Sequence, residues 1–173
     1  MSCTIYLVRH AIAEDRAASG RDADRRLTSE GMAKMRRAAA GLAHLGVTLD
    51  VVHCSPLRRA RETAEILCEI LAPDLRPAVM SELSPGDARQ VPAALRSGRA
   101  VKSVALVGHE PDLGRLAALL IGAGPSASIE FKKGGVAAIE VDALPPNGSG
   151  TLLWLLAPKQ LRALGSAADD DAD

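Results

Sequence analysis

Thr4-Ile5-Tyr6-Leu7-Val8-Arg9-His10-Ala11 is the stretch from which the fold can be read. A short β-prone run stops abruptly at an arginine and a histidine. Such a run, bounded by polar residues, reads as a strand buried on both faces, as in a parallel sheet. Two later runs share the pattern. Val51-Val52-His53-Cys54 leads into Ser55-Pro56-Leu57-Arg58-Arg59, and Val104-Ala105-Leu106-Val107 leads into Gly108-His109-Glu110-Pro111. Open α/β sheets place their ligand sites at the carboxyl ends of such strands. If the three strands are neighbours, two histidines and at least two arginines converge on one small volume. That volume is an anion site with a potential nucleophile in it.

The intervening segments complete an α/β chain. Residues 11 to 27 are charged and lack periodicity, which predicts a long functional loop. Thr28 caps an expected helix from Ser29 to about Leu45, with Met32, Met35, Ala39, Leu42 and Leu45 at helical spacing and Gly46 as the stop. Ser55-Pro56 reads as an N-cap followed by proline in the first turn of a helix reaching about Leu71. Residues 73 to 92 predict a short strand near Ala78 to Met80, and a short helix is expected from about Asp87 to Arg96. A helix opens at Pro111 and runs to about Ile121. Gly134 to Val141 and Thr151 to Leu156 form two strands around the turn Pro145-Pro146-Asn147-Gly148. The expected architecture is an α/β three-layer sandwich, a mainly parallel central sheet flanked by helices with an antiparallel edge element.

Length and composition narrow the function classes. The 173 residues suit a single domain, read here as 1–164, followed by an acidic tail over 165–173 expected to be solvated and frayed. The formal net charge is zero, and Trp154, Tyr6 and Phe131 are the only aromatic residues of their types. A nucleic-acid partner, which calls for a basic face with interleaved aromatics, is therefore not expected. The longest apolar segment, Leu116 to Ala123, is too short to cross a bilayer, and no membrane association or export is expected. Cys3, Cys54 and Cys68 form neither a Cys-x-x-Cys pair nor an even set, which suits a reducing, cytoplasmic setting.

The strand ends suggest phosphoryl chemistry. Free N–H groups at helix N-termini favour anions, and arginine engages two phosphoryl oxygens through a planar fork. Arg58 and Arg61 each have a glutamate four residues on, Glu62 and Glu65, whereas Arg59 meets Thr63 at that spacing. Arg59 is thus the arginine of this cluster expected to point into the site, with Glu62 three residues away as another partner. A neutral imidazole at His10 can accept a phosphoryl group and release it to water. Nearby Arg9, Arg59 and His109 disfavour its protonated form. His44 and His53 lack this setting and read as structural.

Leu7-Val8-Arg9-His10-Ala11, the run from Ser55 to Ala64, and Val107-Gly108-His109-Glu110-Pro111 resemble the three signatures of the histidine phosphatase superfamily. The chain is similar to its small SixA-like branch, which includes phosphohistidine phosphatases, and the resemblance extends through Asp24-Arg25-Arg26-Leu27-Thr28-Ser29-Glu30-Gly31. It implies a phosphoglycerate mutase-like fold and its strand order. It also implies His10 as the phosphorylated nucleophile, with Arg9, Arg59 and His109 binding the phosphoryl group and Arg25 as a further substrate-binding residue. No metal and no cofactor are implied.

The first motif carries Ala11 where the superfamily usually has glycine. The insertion that carries the general acid in larger relatives is short here, and its acidic residues are Glu82 and Asp87; Glu14, Asp15 and Asp112 are other carboxylates to weigh. A site without a lid admits a side chain presented by another protein. The expected substrate is therefore phosphohistidine on a phosphotransfer protein. The alternative is a small phosphorylated molecule, such as a sugar phosphate monoester, attacked by the same nucleophile. A non-catalytic phosphate-binding module is the remaining option. Clustered arginines oppose a divalent cation, and no His-Glu-x-x-His, Gly-x-Gly-x-x-Gly or Walker A sequence occurs.

Overall fold

Each strand of the central sheet follows one of the expected runs. In the computed structural model, which describes residues 2–86, 88–95, 101–124 and 126–170, these are β1 (Cys3–Arg9), β2 (Val51–Cys54), β3 (Ala78–Val79), β4 (Ser103–Gly108), β5 (Val136–Val141) and β6 (Thr151–Leu156). Their order is β3-β2-β4-β1-β5-β6. The first four lie parallel, and β5 and β6 add an antiparallel edge beside β1. This mixed sheet is the expected sandwich, flanked by α1 (Ser29–His44), α2 (Arg58–Leu71), α3 (Val91–Ala94), α4 (Asp112–Leu120) and α5 (Pro158–Asp170).

The pleat divides β1 between two cores. Ile5 and Leu7 pack with Leu106, Leu113, Leu116, Phe131 and Ile139 on the α4 face, while Val8 joins Met35, Leu42, Val52, Leu67 and Leu161 on the α1, α2 and α5 face. Successive side chains of β1 are thus buried on opposite sides, which explains its continuous apolar run. Thr28 caps α1 by accepting the Gly31 N–H at 2.9 Å, and Gly46 ends the turn beyond it with φ at +75°.

Two local expectations are corrected. The helix after β2 begins at Arg58, with Leu57 rather than Ser55 at its N-cap and no side-chain cap. Ser55 is drawn away because its hydroxyl serves His109. The short helix is split into a 3-10 turn at Ala88–Gln90 and the four-residue α3, and Asp87 and Arg96 lie outside the described residues. α5 covers Pro158–Asp170 and so reaches into the segment read as a tail; residues 171–173 lie outside the described set. It crosses α1 closely. A Cβ on Gly41 would meet the Leu161 carbonyl oxygen at 1.9 Å, and one on Gly165 would meet the Arg37 carbonyl oxygen at 2.3 Å. Among the described residues, no helix is long and apolar enough to cross a membrane.

Candidate active site

Strand pairing brings the three motifs together. In register, Arg9 opposes Gly108 and Cys54 opposes Val107. Beyond the strand ends, the His10 N–H donates to the Gly108 carbonyl at 3.0 Å and the Ser55 N–H to the Val107 carbonyl at 2.9 Å. The chain before β5 wraps the same corner, where the Gly134 N–H donates to the Arg9 carbonyl at 3.1 Å. The imidazoles of His10 and His109 then sit with centroids 5.1 Å apart, 6% and 5% exposed.

Their hydrogen bonds define what each ring nitrogen can do. His10 Nδ1 lies 2.7 Å from the Ala11 carbonyl, so it carries a proton and leaves the Nε2 lone pair available. The Ala11 N–H donates to Thr63 Oγ1 at 3.1 Å, and the Thr63 hydroxyl donates to the Arg59 carbonyl at 2.7 Å, tying this peptide to α2. Ser55 Oγ accepts the Leu57 N–H at 3.3 Å and lies 2.8 Å from His109 Nε2. We assign its hydroxyl proton to Nε2, which uses both capacities of the serine and leaves a proton on His109 Nδ1.

Both rings are neutral at physiological pH. Burial lowers the His10 pKa to about 3; the Ala11 carbonyl opposes this, while His109, Arg59 and Arg9 add to it. His109 falls to about 4 through burial and Arg59, against the opposing charge of Asp22, with Arg9 a smaller contribution.

The two arginines are anchored by their outer nitrogens. Arg9 donates through Nη1 to the Phe131 carbonyl at 2.5 Å, and Arg59 donates to the Asp22 carbonyl and to Asp22 Oδ2, both at 3.0 Å. In each, Nε is buried without a hydrogen-bond partner, as is His109 Nδ1.

Asp22 is the residue that sequence reasoning missed. It lies in a 3-10 turn, Asp22–Asp24, within the aperiodic 11–27 segment, and nothing local distinguishes it from neighbouring acids. Its second carboxylate oxygen accepts from Arg25 Nη1 at 2.8 Å, and Arg25 Nε donates to the Glu14 carbonyl at 2.5 Å. Arg25 therefore joins the cluster through Asp22. The hydrogen bond from Arg25 leads in holding the Asp22 carboxyl below the usual range; burial opposes it, and Arg59 adds to the lowering.

The candidate acids are dispersed. Glu82, in the 3-10 turn Ser81–Leu83, lines a small depression with Gly108, His109 and Asp112 and accepts from the Ser81 hydroxyl at 3.0 Å. Asp112 accepts the Gly86 N–H at 2.6 Å, and Glu14 pairs with Arg26 at 2.6 Å. Asp15 is exposed, and Asp87 lies outside the described residues. Glu62 pairs with Arg58 as the spacing predicts, and its other oxygen accepts the Leu27 N–H at 2.7 Å, pinning the end of the loop. His44 lies in the last turn of α1, and His53 in β2 is engaged with the Ala78 backbone. No cluster of three or more potential metal ligands is present among the described residues.

Similarity to known proteins follows the same geometry. Residues 5–90 match the histidine phosphatase superfamily, branch 1. An uncharacterized protein of Picosynechococcus sp. is 35% identical over 163 residues, spanning 91% of this chain and 98% of its own. The structure resembles that of the protein histidine phosphatase SixA complexed with tungstate, with a TM-score of 0.80, 31% identity, and coverage of 91% of this chain and 99% of that one. The α-ribazole phosphatase of Shigella flexneri shares the fold at a TM-score of 0.69 and 18% identity, covering 90% and 96% of the two chains. With the family model matching from within β1 to Gln90, just before α3, and SixA matching almost end to end, the chain belongs to the histidine phosphatase superfamily as a SixA-like member.

Proposed function

We propose that this protein hydrolyses phosphohistidine on a phosphotransfer protein through a covalent intermediate on His10, without a metal ion. The observation carrying this reading is the set of buried, unpartnered nitrogens, Arg9 Nε, Arg59 Nε and His109 Nδ1, beside a neutral His10. A buried donor left unpaired costs about 1–3 kcal/mol, and an incoming phosphoryl group supplies the missing acceptors. The likeness to SixA, whose structure holds tungstate, a tetrahedral oxyanion, supports the same reading.

In the first step the His10 Nε2 lone pair forms a bond to phosphorus as the bond from phosphorus to the substrate imidazole breaks. A substrate ring protonated on its far nitrogen departs as neutral imidazole, so this step needs no enzymic acid. Water oxygen then bonds to phosphorus, the bond to His10 breaks, and phosphate leaves with the excess proton passing to solvent. Arg9, Arg59 and His109 stabilise the charge on the transferring oxygens in both steps. Arg25 supports Arg59 through Asp22. A phosphate ester would instead release an alkoxide that needs a proton, for which Glu82 beside His109 and Asp87 are the candidates. Three free, buried cysteines suit a cytoplasmic phosphorelay.

Intact mass after brief incubation with a phosphohistidine-bearing phosphotransfer protein in chelator, quenched at alkaline pH, tests this directly. Wild type is expected to gain one phosphoryl group and to deplete the donor, and His10→Ala to do neither. An unmodified enzyme with an undepleted donor overturns the phosphoprotein reading. Equal or higher kcat/KM on one small phosphate ester than on any phosphoprotein replaces the substrate while retaining the nucleophile.

A further inference from the structure

Glu110 follows His109 directly, yet its half-buried side chain turns to the backbone of Phe131. Oε1 accepts the Phe131 N–H at 2.9 Å. Oε2 lies against Gly114, whose backbone N–H favours the charged carboxylate. Gly114 is in the first turn of α4, where a helix provides no acceptor of its own. A Cβ there would meet the Ile129 carbonyl oxygen at 2.0 Å, so the bare glycine lets the 129–131 segment lie directly on the helix. Phe131 is fully buried, and its carbonyl receives Arg9 Nη1. One peptide segment thus takes Glu110 on its N–H side and Arg9 on its C=O side.

We infer that Glu110 is a positioning residue for Arg9, holding the Phe131 segment so that its carbonyl fixes the guanidinium and leaves Nε free for the phosphoryl group. The inference rests on the reading that Arg9 binds that group. The carboxylate suits the task because one oxygen accepts the Phe131 N–H while the other lies against the first turn of α4 at Gly114. Burial raises its pKa, while the Phe131 N–H, Arg9 and the Gly114 N–H favour its charged form. Glutamine keeps the reach and one acceptor. Aspartate keeps the charge but is one methylene short.

The test measures the dissociation constant of inorganic phosphate by calorimetry, together with kcat and KM on a chromogenic phosphate ester. The variants are Glu110→Gln, Glu110→Asp, Glu110→Leu and Arg9→Ala, and the two changes are also combined. Glu110→Leu and Glu110→Asp are expected to weaken phosphate binding and lower kcat/KM by about tenfold, the scale of a displaced binding group. Glu110→Gln is expected to restore most of both, and with Arg9 already removed the Glu110 changes are expected to add less than about twofold. Should Glu110→Leu fail to fold, Glu110→Asp carries the same comparison. Unchanged phosphate binding in a folded Glu110→Asp, or losses that multiply with that of Arg9→Ala, overturns the inference alone. An Arg9→Ala protein binding phosphate as wild type does overturns the site reading and the inference with it.

Discussion

His10 and His109 are held by strand ends, a carbonyl and a buried hydroxyl, whereas Asp22 and Arg25 on the facing 11–27 loop are held by ion pairs at the surface. The Asp22 side chain is 62% exposed even though it engages Arg59, which is 8% exposed. Exposed ion pairs contribute about 0–1 kcal/mol. The strand ends, by contrast, cannot move without disturbing cores packed on both faces of the sheet. The loop is tied down where Ala13 bridges Leu27 and Glu62 receives the Leu27 N–H. The two histidines are therefore organised by the fold, while the surroundings of Arg59 are set by contacts that salt and substitution can alter.

The largest expected effect lies where the two regions meet. Arg59→Ala removes a buried donor and the partner of Asp22, and is expected to lower kcat/KM by about 10²–10³ while weakening phosphate inhibition. Steady-state kinetics with phosphate as inhibitor check this. A loss no greater than that of loop substitutions would erase the distinction.

Next in size is the pH dependence of stability on the strand-end side. The folded pKa values of His10 and His109, about 3 and about 4, lie below the ordinary 6.5. Their stabilisation is fully present above the ordinary value and is lost as pH falls toward the folded values. Each histidine is expected to cost about 2 kcal/mol between pH 6.5 and pH 5. Urea denaturation at several pH values, comparing wild type with His10→Gln, isolates one share. Identical slopes would show that His10 is solvated rather than held by the framework.

Thr63→Val tests the tie between β1 and α2. It leaves the buried Ala11 N–H without its acceptor at nearly constant shape, and is expected to destabilise the protein by about 1–2 kcal/mol. Thermal denaturation measures this, and an unchanged Tm would remove the tie from the framework. Smallest are Asp22→Asn and Arg25→Ala, each expected to lower kcat/KM by about tenfold or less, with the double change costing little more than either. Kinetics at low and high salt sharpen this point. A wild-type rate insensitive to salt, with losses matching that of Arg59→Ala, would make the loop part of the rigid site.

Particular residues show why legibility was uneven. β1, β2 and β4 could be recognised because burial on both faces imposes continuous apolar runs, and Thr28 because capping is local. Arg59 could be singled out by the spacing of its neighbours on α2. Ser55 was misread because its cap signature competes with a contact to His109, 54 residues away. Asp22 could not be picked from an aperiodic charged segment, since its partner Arg59 lies 37 residues on. The role of Glu110 depends on Phe131, a further 21 residues along.

By itself, then, the sequence determined the strands, the main helices and the four groups that end them, because hydrophobic periodicity and local backbone chemistry act over a few residues. Tertiary structure alone decided which nitrogens are spent and which stay free: Asp22 on Arg59, Phe131 on Arg9, Ser55 on His109. Those choices depend on hydrogen-bond geometry between distant segments, which is set only when the sheet and its helices close around the site.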